Sequence, residues 1–172
     1  MHPVPIRLAT PADAAAIAGA HRDSINAVSA SDYSPEVIVD WMSGVSGDRV
    51  AGQMAKGTAY FVAVESRLAR QDHILGFASH SQQADGHHIG VYVRGAATRQ
   101  GVGRALFAVA EAHARTRGAT EIVLESAIGA VPFWTAMGFE SLAVGEHRLR
   151  SGRGIACVRM RKELPANAES GR

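Results

Sequence analysis

Val91-Tyr92-Val93-Arg94-Gly95-Ala96-Ala97-Thr98-Arg99-Gln100-Gly101-Val102-Gly103-Arg104-Ala105-Leu106 is the stretch that decides the fold of this 172-residue chain. An apolar extended run stops at Val93, and a small-residue turn carries the chain to a helix start near Gly101. Val102, Leu106, Val109, Ala110 and His113 recur at helical spacing, and Gly118 stops the run. The first turn of a helix has backbone N–H groups without intrahelical partners, and the helix dipole adds about half a positive charge there. Gly101 and Gly103 remove side chains that would hold an anion off, while Arg99 and Arg104 add charge. The segment therefore reads as a phosphate cradle. Residues 86–110 hold no acid, yet contain His87, His88, Arg94, Arg99 and Arg104. A Walker A loop would need Gly-Lys-Ser/Thr, which does not follow Gly103. A dinucleotide fingerprint would need a small residue where Leu106 stands.

Upstream, residues 59–64, 74–80 and 88–93 are β-rich runs with short polar connections at 67–72 and 81–86, which predicts an antiparallel meander. Further back, a short extended opening at 6–8 leads to Thr10-Pro11-Ala12-Asp13, a helix start whose stripe Ile17, His21, Ile25, Val28 runs to about Ser29. Ser34-Pro35-Glu36 starts a second helix carrying Val37, Ile38, Trp41 and Met42. A short third helix is expected near 50–55. Downstream come a strand at 121–125, a short helix at 130–137 with Pro132 in its first turn, and a closing strand pair at 139–144 and 155–160. The expected class is α/β, one domain over residues 1–164 with a mixed, mostly antiparallel sheet flanked by helices, and a polar tail at 165–172.

Composition narrows the function. The apolar fraction is 47% and the charged fraction 20%, as in ordinary globular domains. A single cysteine, Cys157, excludes an intrachain disulfide and a four-cysteine zinc site. Residues 1–7 carry two prolines and no apolar core, so no signal peptide is expected, and no run nears the roughly 18 apolar residues of a membrane span. The expectation is a cytoplasmic protein without a membrane partner. Residues 1–93 hold 6 Lys+Arg and 9 Asp+Glu, and residues 94–172 hold 12 and 7. The net +2 is too weak to imply a nucleic-acid partner.

The decisive stretch resembles the acetyl-CoA pyrophosphate loop of the GCN5-related N-acetyltransferase superfamily, Gln/Arg-x-x-Gly-x-Gly/Ala after a strand often written Leu-Tyr-Val. Val91-Tyr92-Val93, Gly101 and Gly103 match. Thr98 stands where the family has Gln or Arg, with the basic residue shifted to Arg99. Ala130-Val131-Pro132-Phe133-Trp134-Thr135-Ala136-Met137-Gly138-Phe139 resembles the second signature, Ala-x-Pro-Phe-Tyr-x-x-x-Gly-Phe. The resemblance spans about residues 6–162 in element order and is sharp over 91–139. It implies acetyl-CoA as cosubstrate without a metal, and transfer of the acetyl group to a primary amine by direct attack. Val91, Tyr92, Val93, Arg99, Gln100, Gly101, Val102, Gly103, Arg104 and Trp134 are then the cofactor-binding residues. A homodimer is left open.

Such a reaction needs a neutral amine, hence a base, and a backbone N–H for the developing oxyanion, which by position falls at 91–93. His87 is the candidate base. It shares a strand face with residues 89, 91 and 93, whereas His88 is expected to face away. Trp134 replaces the tyrosine that usually serves as acid, and Gly129 replaces an asparagine. Both keep a second reading open, a non-catalytic CoA-binding module. His21, Asp23, Asp32, Tyr33 and Trp41 come from the acceptor side, with His21 and Trp41 read as core. Cys157 is expected to be buried and inert.

Overall fold

The computed structural model describes residues 4–65 and 73–165. The expected connection at 67–72 and all but Pro165 of the expected tail lie outside the described residues. Among the described residues seven strands occur: β1 (Ile6–Leu8), β2 (Ala59–Glu65), β3 (His73–Gln83), β4 (Gly86–Val93), β5 (Glu121–Ser126), β6 (Glu140–Arg148) and β7 (Gly154–Glu163). The helices are α1 (Ala14–Ser29), α2 (Pro35–Ser43), α3 (Gly47–Ala55), α4 (Val102–Thr116) and α5 (Val131–Ala136). The strands form one sheet in the order β1-β2-β3-β4-β5-β7-β6. All neighbours are antiparallel except β4 and β5, which run parallel.

β2 explains why the sheet reads as continuous apolar runs. Tyr60, Val62 and Val64 join a core with α1, α2 and α3, while Phe61 and Ala63 join a second core under α4 and α5. Side chains alternate across a strand, and with both faces covered every position is apolar. Leu106 of α4 is fully buried in that second core, a burial that stabilises by about 1.5–3 kcal/mol.

The chain enters α1 through one 3₁₀ turn at Pro11–Asp13. Asp13 accepts from the Thr10 N–H at 2.8 Å and from both terminal nitrogens of Arg7 at 2.9 Å. The Arg7 hydrogen bonds hold its carboxyl down at about 2. Several elements run longer than their apolar runs. β3 and β4 pair through Gln83 and Gly86, leaving a turn of Ala84 and Asp85 instead of a loop at 81–86. Gln82 and Gln83 are strand residues at its exposed end, where polar side chains hide the period. β6 and β7 extend likewise to Arg148 and from Gly154, and α3 begins at Gly47, with the Ser46 hydroxyl accepting from the Arg49 N–H. Among the described residues no helix is long and apolar enough to cross a membrane.

Candidate functional site

β4 and β5 pair only at His87 with Ile122 and at His88 with Val123, then part. Beyond that point one edge of β4 is open. Arg94 donates its N–H to Leu75 of β3 at 2.8 Å, and the β3–β4 register runs without a shift. Backbone groups alternate between the two neighbours of a strand. Those of Tyr92 and Arg94 therefore point to β3, and those of Val91 and Val93 point into the gap.

The gap lies beside the start of α4. Gly101 caps that helix at φ 81°, a left-handed conformation that glycine adopts without strain, and the preceding Arg99 also has positive φ, 62°. The first intrahelical bond is from Ala105 N–H to Gly101 O at 3.0 Å, so the N–H groups of Val102, Gly103 and Arg104 carry no intrahelical partner. Arg99 and Arg104 are exposed and unpaired among the described residues. Gln100 is turned onto its own loop, donating to Ala96 O at 2.9 Å. Gly103 is small for packing: a Cβ there would meet the Phe133 ring at 3.1 Å. The acid-free stretch is divided in space. Arg94 braces β3 through Ile74 O at 2.8 Å, and Asp23 of α1 accepts the Gly95 N–H at 2.8 Å.

On the other side of the sheet, a cleft of about 610 Å³ opens between the β3–β7 floor and the α1–α3 wall. It meets the gap at His88, Val123 and Leu124. The alternation expected along β4 is observed, but its sides are reversed relative to the cleft. His87 lies with Ile89, Val91 and Val93 on the α4 side, and its Nδ1 is 3.0 Å from His80 Nε2. His80 Nδ1 is 2.9 Å from His113 Nδ1, completing a chain of three rings. Burial pushes His80 down to about 4 and lowers His113 as well. Among the described residues this chain is not a metal-binding group. His88, expected to face away, lines the cleft and donates from Nε2 to Asp85 Oδ1 at 2.9 Å. That bond holds the Asp85 carboxyl below the usual range. A second pair faces the same space, His147 Nδ1 donating to Glu125 Oε2 at 2.6 Å.

The floor continues through Tyr92. Its ring stacks on Phe77 at 5.0 Å and lies over Gly90, where a Cβ would meet it at 3.0 Å. Burial raises the phenol's pKa. His21 sits 4.0 Å from that ring and lines the cleft, so it belongs to the site as well as to the core. Its Nε2 is buried without a hydrogen-bond partner among the described residues. Burial, then the charges of Arg49 and Arg22, push His21 down to about 4. Trp41 is half-buried against Tyr33 and also lines the cleft. Cys157 is buried in the floor, its thiol pushed up by burial. Asp32 does not line the cleft. It lies over Gly129, where a Cβ would meet Asp32 Oδ2 at 2.5 Å and Val28 O at 2.7 Å. That contact explains glycine in place of the family's asparagine. Trp134 is 5% exposed and makes edge contacts with Phe107, Phe133 and Phe139. Its place is the core under α4.

Sequence reading turned His88 away from the site, and Glu125 and His147 escaped it. The one available signal was the three-residue spacing of Asp85 and His88 across a tight turn. Glu125 and His147 are brought together only by β5, β7 and β6 lying side by side.

A family model described as acetyltransferase (GNAT) domain matches residues 29–164. A GCN5-related N-acetyltransferase structure from Rhodopseudomonas palustris is 26% identical, with a TM-score of 0.80 over 95% of this chain and 98% of that one. The PaiA N-acetyltransferase of Thermoplasma acidophilum, solved with coenzyme A, is 18% identical with a TM-score of 0.75 over 95% of this chain and 100% of its own. The yncA acetyltransferase of Salmonella typhimurium, solved with acetyl-CoA, is 23% identical with a TM-score of 0.69 over 99% of both chains. No curated protein matches.

Proposed function

The chain belongs to the GNAT acetyltransferases, and from that premise we propose that it is an acetyl-CoA-dependent N-acetyltransferase acting on a primary amine by direct attack. The observation that carries this reading is the parting of β4 and β5 next to a helix start without a side-chain cap, with a polar cleft meeting the gap from the opposite side. The residues present fit the cofactor. Gly101 has open space at its Cβ position, and the unpartnered N–H groups of Val102, Gly103 and Arg104 suit a pyrophosphate. When bound, acetyl-CoA supplies an acetyl group activated as a thioester.

The chain's own residues do the rest. The backbone edge of Val91 and Val93 holds the pantetheine arm and offers an N–H to the carbonyl oxygen. His88, oriented by Asp85, takes the proton from the incoming amine and replaces His87 in that role, because His87 is tied to His80 on the α4 side. Tyr92, kept neutral by burial, lines the same floor and is the available proton donor for the departing thiolate. A reducing cytoplasm is the compartment proposed. The rival, a CoA-binding module without catalysis, draws on the burial of Trp134 in the core.

Calorimetry with acetyl-CoA and a thiol-release assay over an amine panel separate the two. Arg104→Glu should weaken acetyl-CoA binding by about tenfold or more. His88→Ala should lose roughly 10² to 10⁴ in turnover and the rise of kcat/KM with pH, while His87→Leu keeps both. Binding without thiol release in any arm establishes the rival, and a His87→Leu loss matching that of His88→Ala removes His88 as the base.

A further inference from the structure

Charge in the cleft is unevenly paired. Its two acids are engaged, Asp85 by His88 at 2.9 Å and Glu125 by His147 at 2.6 Å. Arg148 is held by Glu146 at 3.3 Å and by Gly152 O at 2.9 Å. Three further guanidinium groups line the cleft from three elements: Arg49 on α3, Arg150 in the β6–β7 turn and Arg159 on β7. None of the three has an ion pair or side-chain hydrogen bond among the described residues. Each presents a planar fork of donors that matches a carboxylate, and none can lose its charge at physiological pH. Their field reaches the site: Arg49 is among the charges that disfavour protonation of His21.

We propose that the acceptor is a small amine carrying a carboxylate, of amino-acid size, held through its anionic end by Arg49 and Arg150. The proposal rests on the acetyl-transfer reading above and assigns its substrate class. A cleft of about 610 Å³ suits a small molecule. The two ends of such an acceptor find different chemistry, with the ammonium drawn to the His88–Asp85 end and the carboxylate to Arg49 and Arg150, the latter packed against Gly44 just before α3. A polycationic amine would meet four arginines and two acids already engaged.

The test is thiol release from acetyl-CoA with a panel of L-amino acids. Each is matched with its amide and with the amine that lacks the carboxyl group. Amidation lowers the amine's basicity and leaves more of it neutral, so a preference for the acid cannot come from the amine itself. The acids should lead their partners in kcat/KM by roughly tenfold or more, and added salt should reduce the lead. Arg49→Gln and Arg150→Gln should each cut that lead by about tenfold. Arg117→Gln, on an exposed helix end away from the cleft, should leave it intact. Amides or amines turned over as well as the acids would overturn the assignment and leave acetyl transfer standing. An acid preference that survives both arginine variants would overturn the role of these side chains. Acetyl-CoA bound without thiol release in any arm would overturn the transfer reading, and this one with it.

Discussion

His21 makes the acid stability of this fold calculable. Its ring is wedged between Phe77 at 5.6 Å and Tyr92 at 4.0 Å, and its Nε2 is buried without a partner among the described residues. Burial first, then Arg49 and Arg22, push its pKa down from 6.5 to about 4. The unfolded chain takes up a proton near pH 6.5, whereas the folded chain resists until about pH 4. Stability contributed by the neutral ring is thus full above pH 6.5 and is lost as pH falls to about 4. A gap of about 2.5 units at 1.36 kcal/mol each gives about 3 kcal/mol, and solvent at the ring's exposed edge reduces the observable to about 1.5–3 kcal/mol. His21→Phe keeps the aromatic packing and removes the titration. Urea unfolding at pH 7.5, 6, 5 and 4 should show the wild type losing that much more stability than the variant. The Asp13 carboxyl, held down at about 2, titrates below this window and does not confuse it. His80, also at about 4, acts equally in both proteins and cancels in the difference. Parallel pH profiles for the two proteins would refute the account of His21 as a buried neutral ring.

Two other substitutions probe the positions where the chain departs from its family. Trp134→Phe should cost about 1–3 kcal/mol in urea unfolding, from lost packing against Phe107, Phe133 and Phe139, while keeping turnover within about tenfold. A loss beyond about a hundredfold, worth about 2.7 kcal/mol, would mean that the indole N–H takes part in the chemistry. Gly129→Asn restores the family's residue but drives its Cβ to 2.7 Å from Val28 O, so a cost of about 1–3 kcal/mol is expected. An unchanged urea midpoint would show that the α1–α2 connection yields freely.

The order of elements was legible because each strand and helix carries its own punctuation. Pro11, Pro35 and Pro132 mark helix starts, and Gly118 and Gly138 mark ends, both with positive φ. The α4 cradle was legible for the same local reason. What the pattern could not supply was sidedness. Alternation along β4 separates residues 87, 89, 91 and 93 from 88, 90 and 92, but both sets are largely apolar or small, since both faces of the sheet are covered. Which set meets the cleft depends on where α1 and α4 dock, a long-range fact. Gly103 shows the same limit at one position: it reads as room for a phosphate, yet Phe133 also requires that room. Charge along the chain was misleading too, because Asp23 reaches the acid-free loop from α1, 72 residues away in sequence.

The departures at Gly129 and Trp134 bear on whether the site has decayed. A decayed wall leaves space without occupants. Around Gly129 the opposite holds: Val28 and Asp32 fill the space, and Tyr33 accepts the Ile128 N–H at 3.1 Å while donating to Ala156 O at 2.7 Å. One loop thereby fastens α1 to the entry of α5 and to β7, and closes that end of the cleft with Tyr33 and Trp41. Trp134 likewise fills its volume, with aromatic neighbours in contact. These substitutions fit a repacked wall. Two pairs that face the cleft are meanwhile kept in order, Asp85 on His88 and Glu125 on His147. Orienting two histidines in one cleft costs side-chain entropy that a passive binding module has no reason to offset. The pairing therefore weighs toward the proposed acetyl transfer over a passive CoA-binding module.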